Sequence, residues 1–318
     1  ARAFALAAPA HPVKARRMTT NPTIQPTDQP DRPLLGALWM TGAIGSFSSM
    51  AIAGRALTGE LDTFEMMLYR SIIGFVLVLA IGGAMGRLGE IDAQRLPLHF
   101  LRNLCHFTGQ NLWFFAVALI PLAQLFALEF TSPIWVILLA PLLLGEQLTR
   151  TRFFAAALGF FGVLIVARPG VDGVNIGILA AAASAIGFAC THIFTKMLTR
   201  TATVTCILFW LTVIQLGLGV IAAGHDGDIA WPSLAAWPWV VLIGCAGLFA
   251  HLCVTNALRV APAIVVVPMD FLRLPLIAII GMLFYAEPLD AFVLIGAAII
   301  FAGNYLNIWT ETRRVKNL

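Results

Sequence analysis

The chain of 318 residues is 59% hydrophobic and only 11% charged, with a mean hydropathy of +0.88 and a formal net charge of +4. A soluble domain carries about 25% charged residues, so this composition leaves too little polar surface to cover a water-soluble fold. The positive excess is not gathered on one solvent face, which argues against a nucleic-acid partner.

Residues 1–33 are rich in Pro and Thr and lack helical periodicity. They read as a disordered cytoplasmic tail, with Met18 a candidate natural start and residues 1–17 an upstream addition. Ten apolar segments follow, each near the length of about 20 residues that spans a bilayer core. They fall at 34–54, 64–86, 96–119, 122–144, 152–168, 175–197, 204–223, 237–257, 262–285 and 291–310, leaving 311–318 as a second tail. The longest loop, "GHDGDIAWPS" and its flanks, is too short for a nucleotide-binding module. The expected fold is an all-α polytopic membrane protein. With the N-terminus inside, fifteen Lys and Arg fall on the inner side and only Arg55 and Arg168 on the outer, so both termini are expected in the cytoplasm and the chain in the inner membrane. Trp231, Trp237, Trp239 and Trp309 suit the interfacial belt. All five cysteines lie within segments and none forms a CxxC pair, so no disulfide framework, metal site or cofactor is expected.

Shifting the chain by 141 positions pairs Gly36 with Gly177, Phe47 with Phe188, Arg55 with Lys196, Pro121 with Pro262, Glu129-Phe130 with Asp270-Phe271, Glu146 with Glu287 and Gly162 with Gly303. The chain is therefore duplicated, 34–168 and 175–310. Each half holds five spans, an odd number, so the second half enters the membrane upside down. Inverted repeats are the architecture of many secondary transporters, with the substrate site near the midplane between the halves.

The run "SPIWVILLAPLLLGEQLTRTRFFAAALGFFGVLIVARPG" and the segment "FEMMLYRSIIG" resemble the drug/metabolite transporter superfamily, EamA type. The resemblance covers all ten spans. It implies a central cavity lined by spans 1–4 and 6–9, with spans 5 and 10 peripheral. Bacterial amino-acid exporters, including aromatic ones, are similar in layout, while "FEMMLYRS" also resembles uptake members for S-adenosylmethionine or riboflavin. The halves differ where Arg273 stands in place of Ser132, and Pro288 in place of Gln147.

Ionisable residues inside lipid are costly and mark functional sites. At about 1.5 Å per residue, Glu129 lies about 12 Å from the outer end of span 4, and Asp270 about 12 Å from the inner end of span 9. Span 3 carries a polar stripe at His99, Arg102/Asn103, His106 and Gln110, on one helical face. By depth, Gln110, Asn111 and Trp113 approach Glu129, and His106 and His251 approach Asp270. Asp270 has Arg273 at i+3 as an internal partner. Glu129 has no cation at i±3 or i±4, so Gln110 or Asn111 is its expected partner and it is the carboxylate expected to carry a proton. These residues with Arg102 form the expected substrate or coupling site. Trp135 and Trp210 are equally consistent with substrate stacking or with packing, and His192 is expected to be structural. Pro133 and Pro275 are expected to kink their spans, and Arg70, near the outer face, to position helices or gate. Glu146 and Glu287 are expected to cap or pair at span ends, and Gly159, Gly162, Gly296 and Gly303 to form packing faces.

No HExxH, GxSxG or DxD pattern offers intramembrane enzyme chemistry. The expected function is secondary transport of a small metabolite, foremost amino-acid export, with lipid and protons as further partners. The alternatives are uptake of a nucleoside-like or vitamin metabolite, and a passive facilitator.

Overall fold

In a computed structural model, residues 32–144, 150–167, 175–260, 266–288 and 290–316 are described, and among these no β-strand occurs. The long N-terminal segment, Gly145–Thr149, Arg168 and Pro262 lie outside the described residues. The first half comprises α1 (Pro33–Leu57), α2 (Thr63–Ala84), α3 (Leu96–Leu119), α4 (Leu122–Glu129), α5 (Ser132–Leu144) and α6 (Arg150–Ala167). The second comprises α7 (Ile176–Leu198), α8 (Val204–Ala223), α9 (Trp237–Val260), a 3-10 segment (Val267–Leu272), α10 (Arg273–Tyr285) and α11 (Ala291–Lys316). Helix α11 continues well past residue 310, through most of the expected tail.

Local sequence sets the helix starts. Asp62 accepts from Glu65 N while the Glu65 side chain accepts from Asp62 N, a capping box at the head of α2. Asn175 and Thr203 cap α7 and α8 through their side-chain oxygens. Spans 4 and 9 are each broken. A proline ring clashes with the carbonyl four residues back. For Pro133 that carbonyl belongs to Glu129, where α4 stops, and α5 resumes at Ser132. Pro275 stands third in α10, preceded by the 3-10 turn that carries Asp270.

The helix pairing keeps its pattern when the halves are exchanged. Span 1 (α1) packs chiefly on span 8 (α9), and span 6 (α7) on span 3 (α3). Spans 2 and 7 (α2, α8) pair with each other, as do spans 5 and 10 (α6, α11). The two-fold relation legible in the 141-residue shift is thus also a relation between contacts.

Polarity is reversed relative to a water-soluble fold. Leu142, Phe154, Phe160, Phe161, Ile221, Leu283 and Phe284 are exposed, whereas the stripe His99, Arg102, Asn103, His106 and Gln110 is buried. An apolar exterior around a polar interior is what lipid requires. Among the described residues, five helices, α1, α2, α7, α8 and α9, are each long and apolar enough to cross a membrane. Helix α3 is as long but carries the stripe.

Close approach depends on glycine at two crossings. A Cβ at Gly187 would lie 2.9 Å from Cys105 O and 2.9 Å from Gly109 Cα, so α3 and α7 touch backbone to backbone. Gly162 and Gly296 similarly bring α6 against α11, a packing face used within the chain. Gly187→Leu is expected to cost about 1–3 kcal/mol or more through overpacking. Gly217→Ala, where a Cβ meets nothing within 4 Å, is expected to be neutral. Thermal unfolding of the two purified variants checks the difference.

Candidate functional site

The two helix breaks carry the charges. Glu129 is the last residue of α4, Asp270 lies in the 3-10 segment, and Arg273 is the first residue of α10. Arg273 Nη2 donates to Glu129 Oε1 at 2.7 Å and to Asp270 Oδ2 at 2.6 Å. Trp113 Nε1 on α3 donates to Glu129 Oε2 at 2.7 Å. The Arg273 side chain is only 2% exposed, and its guanidinium lies 4.9, 4.7 and 5.5 Å from the ring centres of Phe47, Phe126 and Phe130. A planar, weakly hydrated cation is the group that tolerates such a place, stacked on rings and forked between carboxylates.

This corrects the partner expected for Glu129. Its partners are Arg273, from the opposite half, and the Trp113 indole. Asn111 instead donates to Phe107 O of its own helix. Sequence spacing finds a cation at i±3 or i±4 and is blind to one 144 residues away. The residue expected to serve Asp270 alone therefore bridges both carboxylates.

A cavity of about 70 Å³ opens beside this triplet. Its walls consist largely of residues related by the 141-residue shift: Phe47 with Phe188, Met50 with Thr191, Gln110 with His251, Trp113 with Val254, and Glu129 with Asp270. The cavity therefore lies on the pseudo-two-fold axis between the halves. A second lobe at the span-4 break adds Ser132 and Pro133 to Glu129, Phe188, His192 and Asp270.

His106 and His251 meet across the cavity wall, Nε2 to Nε2 at 3.1 Å, so one ring donates and the other accepts. His192, expected to be structural, lines both lobes. Its helical phase was available, three residues before Thr195 and four after Phe188, but no acid in sequence marked it. Several lining atoms have no hydrogen-bond partner, among them Gln110 Oε1, Asp270 Oδ1 and His106 Nδ1.

Other expected residues stand apart. Arg102 does not line the cavity; it is buried with Nε on Thr195 Oγ1 at 3.2 Å and Nη1 on Asn103 Oδ1 at 3.0 Å. Arg70 is buried in a separate pocket, and Glu65 does not meet it, because the Glu65 carboxylate is spent on the backbone of Asp62 and Ala230. Trp210 donates to Asp92 O, away from the cavity. Glu287 pairs as expected: it binds Arg55 at 2.9 Å and accepts from Leu122 N at 2.9 Å, capping α4. The mates Arg55 and Lys196 each also donate to a backbone carbonyl near the end of a mated span, Ile120 and Leu258.

Two broken helices meeting at a polar cavity on an inverted two-fold axis define a membrane transporter of the inverted-repeat class. The EamA-like transporter family matches residues 34–168 and again 175–309, and the chain belongs to that family. A riboflavin transporter of Rhizobium johnstonii is 32% identical over 90% of this chain and 95% of its own length. An S-adenosylmethionine uptake transporter of Rickettsia bellii is 23% identical over 88% of this chain and 95% of its own. A pseudopaline exporter of Pseudomonas aeruginosa is 24% identical over 83% and 93%. One crystal structure shares the fold with a TM-score of 0.64 at 21% identity, covering 87% of this chain and 98% of its own. The chain is a multi-pass transporter of small metabolites and not an enzyme.

Trp113→Phe keeps the ring and deletes one donor to an ionised group, an interaction worth about 1.5–3 kcal/mol. Its unfolding temperature is expected to fall, whereas Trp239→Phe, exposed on α9, leaves it unchanged; a thermal melt of each variant is the check.

Proposed function

We propose that this chain takes up a flat heteroaromatic metabolite, neutral or cationic, of the riboflavin or adenosine kind, by alternating access around the axial cavity. The observation that carries the reading is the composition of the wall: two mated phenylalanines, Phe47 and Phe188, and the Trp113 indole beside carboxylate, amide and imidazole groups. Aromatic faces stack on a planar ring system. Gln110 Oε1 and Asp270 Oδ1, acceptors without partners, suit a ligand rich in N–H or O–H donors. The riboflavin transporter relative at 32% identity supports the same substrate class.

Charge narrows the class further. The wall holds two carboxylates against one arginine, so with neutral histidines it carries one net negative charge and opposes anions such as phosphorylated flavins. Amino-acid export, the first expectation from sequence, asks Arg273 to leave a carboxylate for that of the substrate. It draws no support from the relatives' names. The site residues we assign are Glu129, Asp270, Arg273, Trp113, Gln110, His106, His251 and His192. We place the protein in the inner membrane with both termini in the cytoplasm, on the Lys and Arg distribution.

Of the two carboxylates, Asp270 is the better proton carrier. Both Glu129 oxygens are engaged, by Arg273 and Trp113, while Asp270 keeps one oxygen without a partner. Arg273, Glu129, His106, His192 and His251 are the titratable or charged groups lining the cavity around it.

In proteoliposomes, radiolabelled riboflavin is expected to show saturable uptake, counterflow with excess unlabelled riboflavin inside, and no competition by riboflavin 5′-phosphate. Saturable flux of tryptophan with none of riboflavin would overturn the substrate class, and flux without counterflow would make the protein a facilitator. Asp270→Asn is expected to abolish stimulation by a pH gradient, with Glu129→Gln retaining it; the reverse result would return the proton to Glu129.

A further inference from the structure

Three arginines lie within the spans, at 70, 102 and 273, and among the described residues the carboxylates that match them in depth are only Glu129 and Asp270, both held by Arg273. Arg70 and Arg102 therefore have no acidic partner among the described residues. Arg102 spends donors on Thr195 and Asn103. Arg70 is 5% exposed, its Nε has no hydrogen-bond partner, and it lines a small pocket.

That pocket is built like a second axial site. Its wall pairs Arg70 with Leu211, Ser71 with Thr212, and Gly74 with Gln215, each pair separated by 141 residues, and Gly244 and Leu248 of α9 complete it. The symmetry is broken at one point only in charge: Arg70 has an apolar mate. Gly247 brings α9 onto the guanidinium, since a Cβ there would lie 2.5 Å from Arg70 Nε. Gln215 ties the pocket to the second cation, because its Nε2 donates to Asn103 O at 2.9 Å and Asn103 Oδ1 receives Arg102. The hydroxyls of Ser71 and Thr212 now donate to carbonyls of their own helices, an arrangement a χ1 rotation exchanges for a ligand. An uncompensated charge in a bundle interior is expensive, and a buried cation needs a counter-charge.

We propose that the pocket between α2, α8 and α9 binds a small monovalent inorganic anion, chloride in size and charge, on Arg70. The anion offsets the surplus positive charge of the bundle and locks α2 against α8, the helix pair that relates to itself under exchange of the halves. It is separate from the substrate cavity, with which it shares no lining residue.

The test is thermal unfolding of the purified, detergent-solubilised protein in sodium chloride, sodium bromide and sodium gluconate at constant ionic strength. A ligand of the folded state raises the transition with saturation as RT ln(1 + [L]/Kd). Chloride and bromide are expected to raise it by several degrees over gluconate, and Arg70→Gln to lose that increment. Equal melting in all three salts, or an increment retained in Arg70→Gln, overturns the proposal. Should Arg70→Gln fail to fold, anomalous diffraction from bromide-soaked crystals of the unaltered protein decides: a peak against Arg70 supports the site, and a pocket without one overturns it. Neither outcome depends on which substrate the protein carries.

Discussion

The fork of Arg273 between Glu129 and Asp270 is the contact around which the bundle is arranged. One carboxylate comes from each half and the arginine from the second, so the interaction crosses the pseudo-two-fold axis. Burying such a set gains little over an apolar core, but removing one member leaves a charge without a partner and costs about 3–5 kcal/mol. Its role is to fix the relation of the halves. The helix breaks serve it: Pro133 ends α4 at Glu129, and the 3-10 turn before α10 lets Asp270 and Arg273 face the same point. Irregular backbone at membrane depth is tolerated where it lines a cavity.

The same contact links structure to the proposed cycle. Each half carries one broken span, and the cavity wall is made of mated residues from both. Exchanging the conformations of the halves would present the same wall to the opposite side with little change in composition. The asymmetric element is the arginine, which stands in place of Ser132, so a substrate donor that reaches Asp270 or Glu129 competes with it. At the periphery, Arg55 and Glu287 bind α1 to the head of α4 and to the end of α10, so the first end of the broken span is held from two directions.

Much of this was legible in the sequence. Span count, duplication, the inward stripe of α3 and the pairing of Glu129 with Asp270 follow from hydropathy, fixed offset and helical phase. The depth estimate brought Gln110, Trp113, His106 and His251 to one cavity. It failed for Arg102 and Asn111, because depth gives height along a helix and not the direction a side chain faces. It failed for the Glu129–Arg273 contact because no local spacing encodes a partner from the other half. His192 is hard to read from sequence because no acidic neighbour marks it. Substrate identity was illegible because packing constrains size and polarity of the wall, and many metabolites share both.

The central claim is that one arginine couples two carboxylates from opposite halves. Thermal stability of Arg273→Gln, of the double variant Glu129→Gln/Asp270→Asn, and of all three changes combined measures it most directly. The account predicts strong non-additivity: Arg273→Gln is severely destabilising alone, and the triple variant recovers most of the loss, with a coupling of about 2–3 kcal/mol or more. Additive losses would contradict it and leave the three residues as independent polar groups.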